Sequence, residues 1–180
     1  KKVDEALSIA KKTNRSFPND VEGMGVLGLC LRANGHINES LKFLNNAIEL
    51  NPNYAEALIN RGLIRLSQNE KTGALSDLEK AYQLRPHIKQ IWEMLIGLKV
   101  EKKQYSEAIM LLIDMIECDP THKKSFSLLT ACNQKLDDAE LAVKSFEKIL
   151  EARPNDAAMN LNLGTALQRQ GKSENALACF

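Results

Sequence analysis

The prolines of this chain are evenly spaced along it. The full set is Pro18, Pro52, Pro86, Pro120 and Pro154. Each lies 34 residues after the one before it. Small residues keep the same step at Ala6, Ser40, Ala74, Ala108, Ala142 and Ala176. Because independent series share one phase, the chain is predicted to consist of tandem copies of one supersecondary motif.

Each period carries the pattern of two helices. In residues 21–54, the apolar or small side chains with the spacing of one helix face are Met24, Leu27, Gly28 and Leu31. A turn at Gly35 ends this helix, and Pro52 ends the second. Gly28 and Ser40 are predicted to mark the place where the two antiparallel helices cross closely.

This pattern is similar to that of the tetratricopeptide repeat family. The 34-residue step, the Leu27-Gly28 pair, the small Ser40 and the terminal proline carry the resemblance. It implies an all-α fold, a right-handed α-α superhelix of helix-turn-helix repeats. We expect a single array over 1–180, divided into a half repeat 1–20, repeats 21–54, 55–88, 89–122 and 123–156, and an incomplete repeat 157–180.

Three residues depart from the family pattern. Arg61 stands where a leucine is expected, and Ile96 and Thr130 stand where the crossing glycine is expected. These departures concern the local packing of the helices and leave the fold prediction unchanged.

The charge balance disfavours two classes of partner, nucleic acids and anionic membrane surfaces. Lys and Arg number 24 against 23 Asp and Glu, so the formal net charge is +1 at pH 7. A chain so near neutrality lacks a strong attraction for phosphate backbones or anionic lipid. An RNA-reading helical repeat, which needs a basic groove, is therefore disfavoured. No nucleic-acid partner is predicted, and no membrane insertion, because no apolar run approaches the length of a membrane span.

Motifs that imitate chemical sites are better explained by the repeats. Residues 23–28 have the sequence G-x-G-x-x-G, but no strand precedes them and Gly28 is the crossing glycine. The histidines fall in predicted turns, and Pro120 separates Cys118 from His122, which disfavours a zinc site. The four cysteines are predicted to be reduced core residues. No catalytic residue, metal or cofactor is predicted, and the segment is not expected to be an enzyme.

The two ends of the sequence lead to further expectations. The chain begins without Met or an apolar leader, which favours the cytoplasm and a missing native N-terminus. Residues 175–180 are apolar and lack the polar cap that a repeat array needs. We expect uncapped ends of this kind to stack on another copy.

The resemblance also implies a binding surface. In this family the first helices of successive repeats line the concave face, which usually binds a peptide. The candidate groove residues are Leu29, Arg32, Ile59, Asn60, Leu63, Leu66, Glu93, Met94, Val100, Lys135, Asn162 and Arg169.

Two binding modes known in the family are disfavoured by these positions. The lysine of a carboxylate clamp is replaced, for example by Ile59 and Glu93, and an asparagine ladder keeps only Asn60 and Asn162. An amphipathic helix or apolar segment is the expected occupant. Asn60 would hold its backbone, and Lys135 and Arg169 would favour an acidic end. The alternative is that some of these side chains pack between adjacent repeats.

The predicted function is a non-catalytic protein-protein interaction scaffold, with a protein or peptide partner. One alternative is the repeat arm of a larger enzyme, such as a bacterial transferase, that presents substrates or partners. Another is a self-assembling repeat module, which would show a mass in solution that depends on concentration.

Overall fold

The computed structural model describes residues 2–179, in which all regular secondary structure is helical. The helices within this range are α1 (Lys2–Ser16), α2 (Val21–Ala33), α3 (Ile37–Leu50), α4 (Ala55–Ser67), α5 (Lys71–Leu84), α6 (Lys89–Glu101), α7 (Tyr105–Cys118), α8 (Lys123–Lys135), α9 (Ala139–Ala152), α10 (Ala157–Arg169) and α11 (Ser173–Leu177). From α2 onward, alternate helices begin 34 residues apart. The predicted all-α repeat fold is confirmed.

The turns between paired helices repeat one backbone conformation. Gly35, Asn69 and Lys103 have φ of 79°, 62° and 60°, the left-handed region that ends a helix. The α8–α9 turn differs, because Leu136 is extended, with φ −90° and ψ 121°. The predicted turn at Gly35 is confirmed.

The chain divides into two compact units, residues 1–91 and 92–180, with the boundary inside α6. In the first unit, α2 pairs with α3 and α4 pairs with α5, and α1 packs on α2. In the second unit, α7 packs on α8 and α9, and α9 packs on α10. The prediction that residues 1–180 form a single array, divided at the repeat boundaries given above, stays a prediction.

The crossing predicted at Gly28 and Ser40 is confirmed. The Ser40 hydroxyl donates a hydrogen bond to the Gly28 carbonyl oxygen at 2.6 Å. A Cβ on Gly28 would lie 2.7 Å from Leu44 Cδ2, which is too close for the present packing. In the second unit Ile96 stands at the glycine position and is buried, so a larger side chain is accommodated there.

One inward-facing position of the first helices is leucine in two repeats and polar in the three repeats between them. With the 34-residue step it is occupied by Leu31, Arg65, Lys99, Asn133 and Leu167. Each polar residue has a partner on the following helix: Arg65 pairs with Asp77, Lys99 with Glu107, and Asn133 with Ser145. Asp77 also binds Arg61, the residue found in place of leucine. Paired polar groups are therefore tolerated where the other repeats use leucine.

The prediction that the cysteines are core residues is only partly correct. Cys132 is buried, but Cys118 is exposed and Cys30 and Cys179 are half-buried. Cys118 is the last residue of α7. Among residues 2–179, no helix is long and apolar enough to cross a membrane.

Candidate functional site

The first unit contains a groove of about 390 Å³ between α2, α4 and the start of α6. Its lining residues are Gly25, Val26, Leu29, Arg32, Tyr54, Glu56, Ile59, Asn60, Leu63, Ile88 and Gln90. Five of the twelve residues predicted from the sequence lie here together: Leu29, Arg32, Ile59, Asn60 and Leu63. We call this cavity the α2–α4 groove.

The α2–α4 groove exposes apolar side chains to solvent. Val26 is 50% exposed and Leu29 is 42% exposed, one helical turn apart on α2. On α4, Ile59 is buried and Leu63 is half-buried, so they form a floor beside these two residues. An exposed apolar surface within a concavity is typical of a binding site.

Tyr54 forms one wall of the groove by packing on a glycine. A Cβ on Gly25 would lie 2.3 Å from Tyr54 Cε1 and 2.6 Å from its hydroxyl oxygen. Only a residue without a side chain leaves room for the ring in this position. The close approach of Gly25 and Tyr54 thus fixes the wall.

Asn60 connects the two helices of the groove. Its Oδ1 accepts a hydrogen bond from Arg32 Nε at 3.1 Å, and its Nδ2 donates to the Glu56 carbonyl oxygen at 2.8 Å. The residue is only 8% exposed. Both polar ends of the amide are engaged within the protein, so Asn60 positions Arg32 on α2 relative to α4.

The carboxylate of Glu56 is satisfied on one side only. Its Oε1 accepts a charge-assisted hydrogen bond from Arg85 Nη1. Its Oε2 is covered by protein and has no hydrogen-bond partner. An unpaired carboxylate oxygen retains an unsatisfied demand for a donor.

Burial and nearby carboxylates together shift the titration of Tyr54. Burial raises the pKa of its phenol most, and the negative charges of Glu56, Glu22 and Asp20 raise it further. Arg85 acts in the opposite direction and lowers it. The wall formed by Tyr54 therefore lies in a region of net negative potential.

An ordinary tyrosine has a pKa of about 10. We expect the pKa of Tyr54 to lie above this value. The folded state favours the neutral phenol of Tyr54. The contribution of this group to the stability of the fold is therefore complete below the pKa of tyrosine in the unfolded chain, and it is lost as the pH rises through the pKa of Tyr54 in the folded protein. An absorbance titration of the phenolate checks this. Tyr54→Phe should remove a late-titrating component, and Glu56→Gln should lower its pKa. If the component lost in Tyr54→Phe titrates like a tyrosine in a short peptide, the described environment is wrong.

The other seven predicted site residues are not among the lining residues of the α2–α4 groove. Glu93 borders a cavity of about 230 Å³ in the second unit, and Asn162 and Arg169 border another of about 60 Å³. Leu66, Met94 and Val100 are half-buried and Lys135 is exposed; none of the four lines these three cavities. Asn162 Nδ2 donates to Thr130 Oγ1 at 3.3 Å, and Arg169 Nη2 to Asp137 Oδ1 at 2.7 Å.

The cavity beside Glu93 is mostly apolar and has a polar edge. Ile96, Leu112, Met115 and Leu128 contribute to its apolar lining. At the edge, His122 Nδ1 lies 2.5 Å from Ser125 Oγ, and its Nε2 lies 3.4 Å from Glu93 Oε1. Ser125 is buried and its hydroxyl contacts the sulfur of Met115 at 3.3 Å. The contact of Ser125 with Met115 joins the start of α8 to α7, and that of His122 with Glu93 joins it to α6.

Among residues 2–179, no group of three His, Cys, Asp or Glu side chains is arranged to hold a metal.

Six lining residues of the α2–α4 groove were not among the twelve predicted site residues: Gly25, Val26, Tyr54, Glu56, Ile88 and Gln90. Of these six, Tyr54 and Ile88 lie outside the helices. Each directly precedes a first helix, so neither belongs to the apolar stripe of that helix. They are 34 residues apart, and His122, which borders the cavity of the second unit, follows by the same step. The repeat period was therefore the signal that could have found them.

Comparison with known proteins adds a family and several relatives. A family model for the tetratricopeptide repeat matches residues 26–89 and 134–180, more than half of the chain. Human protein O-mannosyl-transferase TMTC3 is 25% identical over 171 residues, 92% of this chain and 19% of that protein. The BBSome complex member BBS4 of Bos taurus is 27% identical over 124 residues, 67% of this chain and 23% of that protein. The chain thus spans about a fifth of the length of these relatives.

Solved structures show the same fold. YrrB, whose structure is presented as a TPR protein with an unusual peptide-binding site, matches with a TM-score of 0.65 and 19% identity, over 94% of this chain and 88% of that one. Naa15/Naa10 bound to HypK-THB matches with a TM-score of 0.73 and 17% identity, over 99% of this chain and 28% of that one.

Proposed function

Because this chain belongs to the tetratricopeptide repeat family, we propose that it is a protein-interaction scaffold and that the α2–α4 groove binds an apolar peptide segment of its partner. The observation that carries the proposal is the exposed pair Val26 and Leu29, which lies beside Ile59 and Leu63 within a concavity. Binding removes this apolar area from water, the main favourable term in most protein association.

The shape and lining of the groove support a peptide rather than a small polar metabolite. Five of its eleven lining residues are aliphatic, and the amide of Asn60 is already engaged by Arg32 and Glu56. Helix-in-groove docking or an extended segment with apolar anchors fits this lining. The likeness to YrrB, a TPR protein with an unusual peptide-binding site, agrees with this proposal.

A second candidate function concerns the protein to which the segment belongs. The match to an O-mannosyl-transferase extends over 92% of the chain. The segment would then be the repeat arm of a transferase and would present a partner or substrate to a catalytic domain. In this second candidate function the same α2–α4 groove binds the peptide. The difference from the first is that the bound partner is then presented to a catalytic domain of the same protein.

Selection from a display library of random dodecapeptides tests the proposed function. The protein should enrich sequences that contain leucine, isoleucine or methionine. Counter-selection uses a variant with Val26→Asp and Leu29→Asp, which should retain few of these sequences. If the same peptides are enriched on both proteins, the α2–α4 groove is not the binding site. Self-association through the chain ends stays a separate prediction, which sedimentation at increasing protein concentration tests.

A further inference from the structure

The α2–α4 groove has an acidic end. Glu22, Glu56 and Asp20 all act on Tyr54, and the only opposing charge that acts on it among the described residues is Arg85. Because α2 and α4 are both first helices, their N-terminal turns bring Glu22 and Glu56 to the same end of the groove. This end favours a cation in the partner.

Glu56 is the group at this end that is best placed to bind a ligand. It lines the groove, and its side chain is 42% exposed, although Oε2 itself is covered. A cation on a bound segment therefore reaches this carboxylate from the groove side, where the side chain is exposed. The existing partner, Arg85, is itself 57% exposed, so it holds Glu56 only weakly.

The acidic end and the apolar floor are separated by a defined distance. Glu56 and Leu63 are seven residues apart on α4, which corresponds to about 10 Å along the helix axis. A bound segment that contacts both must place a polar and an apolar side chain at this separation. That spacing is about three residues in an extended segment and about seven in a helix.

We propose that the segment bound in the α2–α4 groove carries a lysine or arginine that pairs with Glu56, about 10 Å from an apolar side chain that packs on Leu29 and Leu63. The proposal rests on the proposed function and adds the charge of the partner and its orientation. The cation would pair with the exposed part of the Glu56 carboxylate, and the apolar anchor would cover the exposed Leu29 and the half-buried Leu63.

The test begins with the sequences enriched by selection. They should contain a basic residue at a fixed spacing from the apolar anchor. One such peptide is then synthesised with its basic residue intact and with that residue replaced by glutamine. Binding is measured by fluorescence anisotropy at low and moderate salt, because a partly exposed ion pair weakens with ionic strength.

Two substitutions in the protein are expected to act in opposite directions. Glu56→Gln should weaken binding of the basic peptide about fivefold, the size expected for a partly exposed pair. It should leave the glutamine peptide unaffected. Arg85→Ala should strengthen binding of the basic peptide, because Arg85 competes for Glu56. A purely structural role of the pair predicts weakening in both variants. Glu39→Gln, an exposed change on α3, is the matched control.

The outcomes separate this inference from the proposed function. If no peptides are enriched over the Val26→Asp, Leu29→Asp protein, the proposed function is wrong. If apolar peptides are enriched without a basic residue at fixed spacing, or Glu56→Gln leaves their affinity unchanged, only the inference about Glu56 is wrong.

Discussion

Replacing Asp77 with alanine is expected to lower the free energy of unfolding by about 3 kcal/mol, because one partner of a buried ion pair is removed. Asp77 is only 3% exposed. Its carboxylate accepts hydrogen bonds from Arg61 at 2.9 and 2.7 Å and from Arg65 at 2.6 Å. Without it, two guanidinium groups remain partly buried side by side. We place the effect at the lower end of the usual range because both arginines reach solvent. The midpoint of urea unfolding measures the loss.

Two further variants of the protein serve as controls for this prediction. Asp137→Ala also removes an aspartate from an arginine, Arg169, but at an exposed site. Its unfolding midpoint should stay close to that of the unmodified protein. The triple change Arg61→Leu, Arg65→Leu, Asp77→Phe copies the equivalent positions of the preceding repeat. It should recover most of the lost stability, since packed apolar groups replace buried ion pairs well. A small effect of Asp77→Ala, similar to that of Asp137→Ala, would contradict the role of the cluster.

The helical pairing could be predicted from the sequence because it depends on periodic properties. Proline and glycine fix where helices end, and the stripe of apolar residues fixes which face is buried. The Arg61–Asp77 pair could not be predicted in this way, because periodicity treats each polar residue in an apolar position as an isolated exception. Comparison of the repeats gives the missing signal. Arg61 and Asp77 both lie in the repeat 55–88, at the positions that Leu27 and Phe43 occupy in the preceding repeat.

The groove could be predicted in part for a similar reason. Helix phase alone places Leu29, Ile59 and Leu63 on one side of their helices, and the structure brings them into one cavity. The wall formed by Tyr54 depends on a contact between Gly25, near the start of the repeat 21–54, and Tyr54, its last residue, which no local pattern encodes. The hydrogen bond from Arg32 to Asn60 joins α2 to α4, so it could not be predicted from the pattern of either helix alone.

Replacing both Val26 and Leu29 with aspartate is expected to weaken peptide binding at least about 30-fold, a loss of about 2 kcal/mol. Burial of one leucine-sized side chain is worth about 1.5–3 kcal/mol, and each new carboxylate must also be desolvated. Both residues are about half exposed in the free protein, so the fold should tolerate the change. Affinity for a selected peptide, measured beside the far-ultraviolet circular dichroism and unfolding midpoint, separates a loss of binding from unfolding.

The control for this prediction is Leu50→Asp. Leu50 is 57% exposed at the end of α3 and does not line the α2–α4 groove, so its replacement makes a similar chemical change away from the proposed site. Peptide affinity should remain within about twofold of the unmodified protein, the scale of a surface substitution. If Leu50→Asp weakens binding as much as the groove variant does, the effect comes from added negative charge. If neither variant weakens it, peptides bind elsewhere on the protein. Only a selective loss in the Val26 and Leu29 variant assigns the exposed apolar pair of α2 to the binding of the peptide.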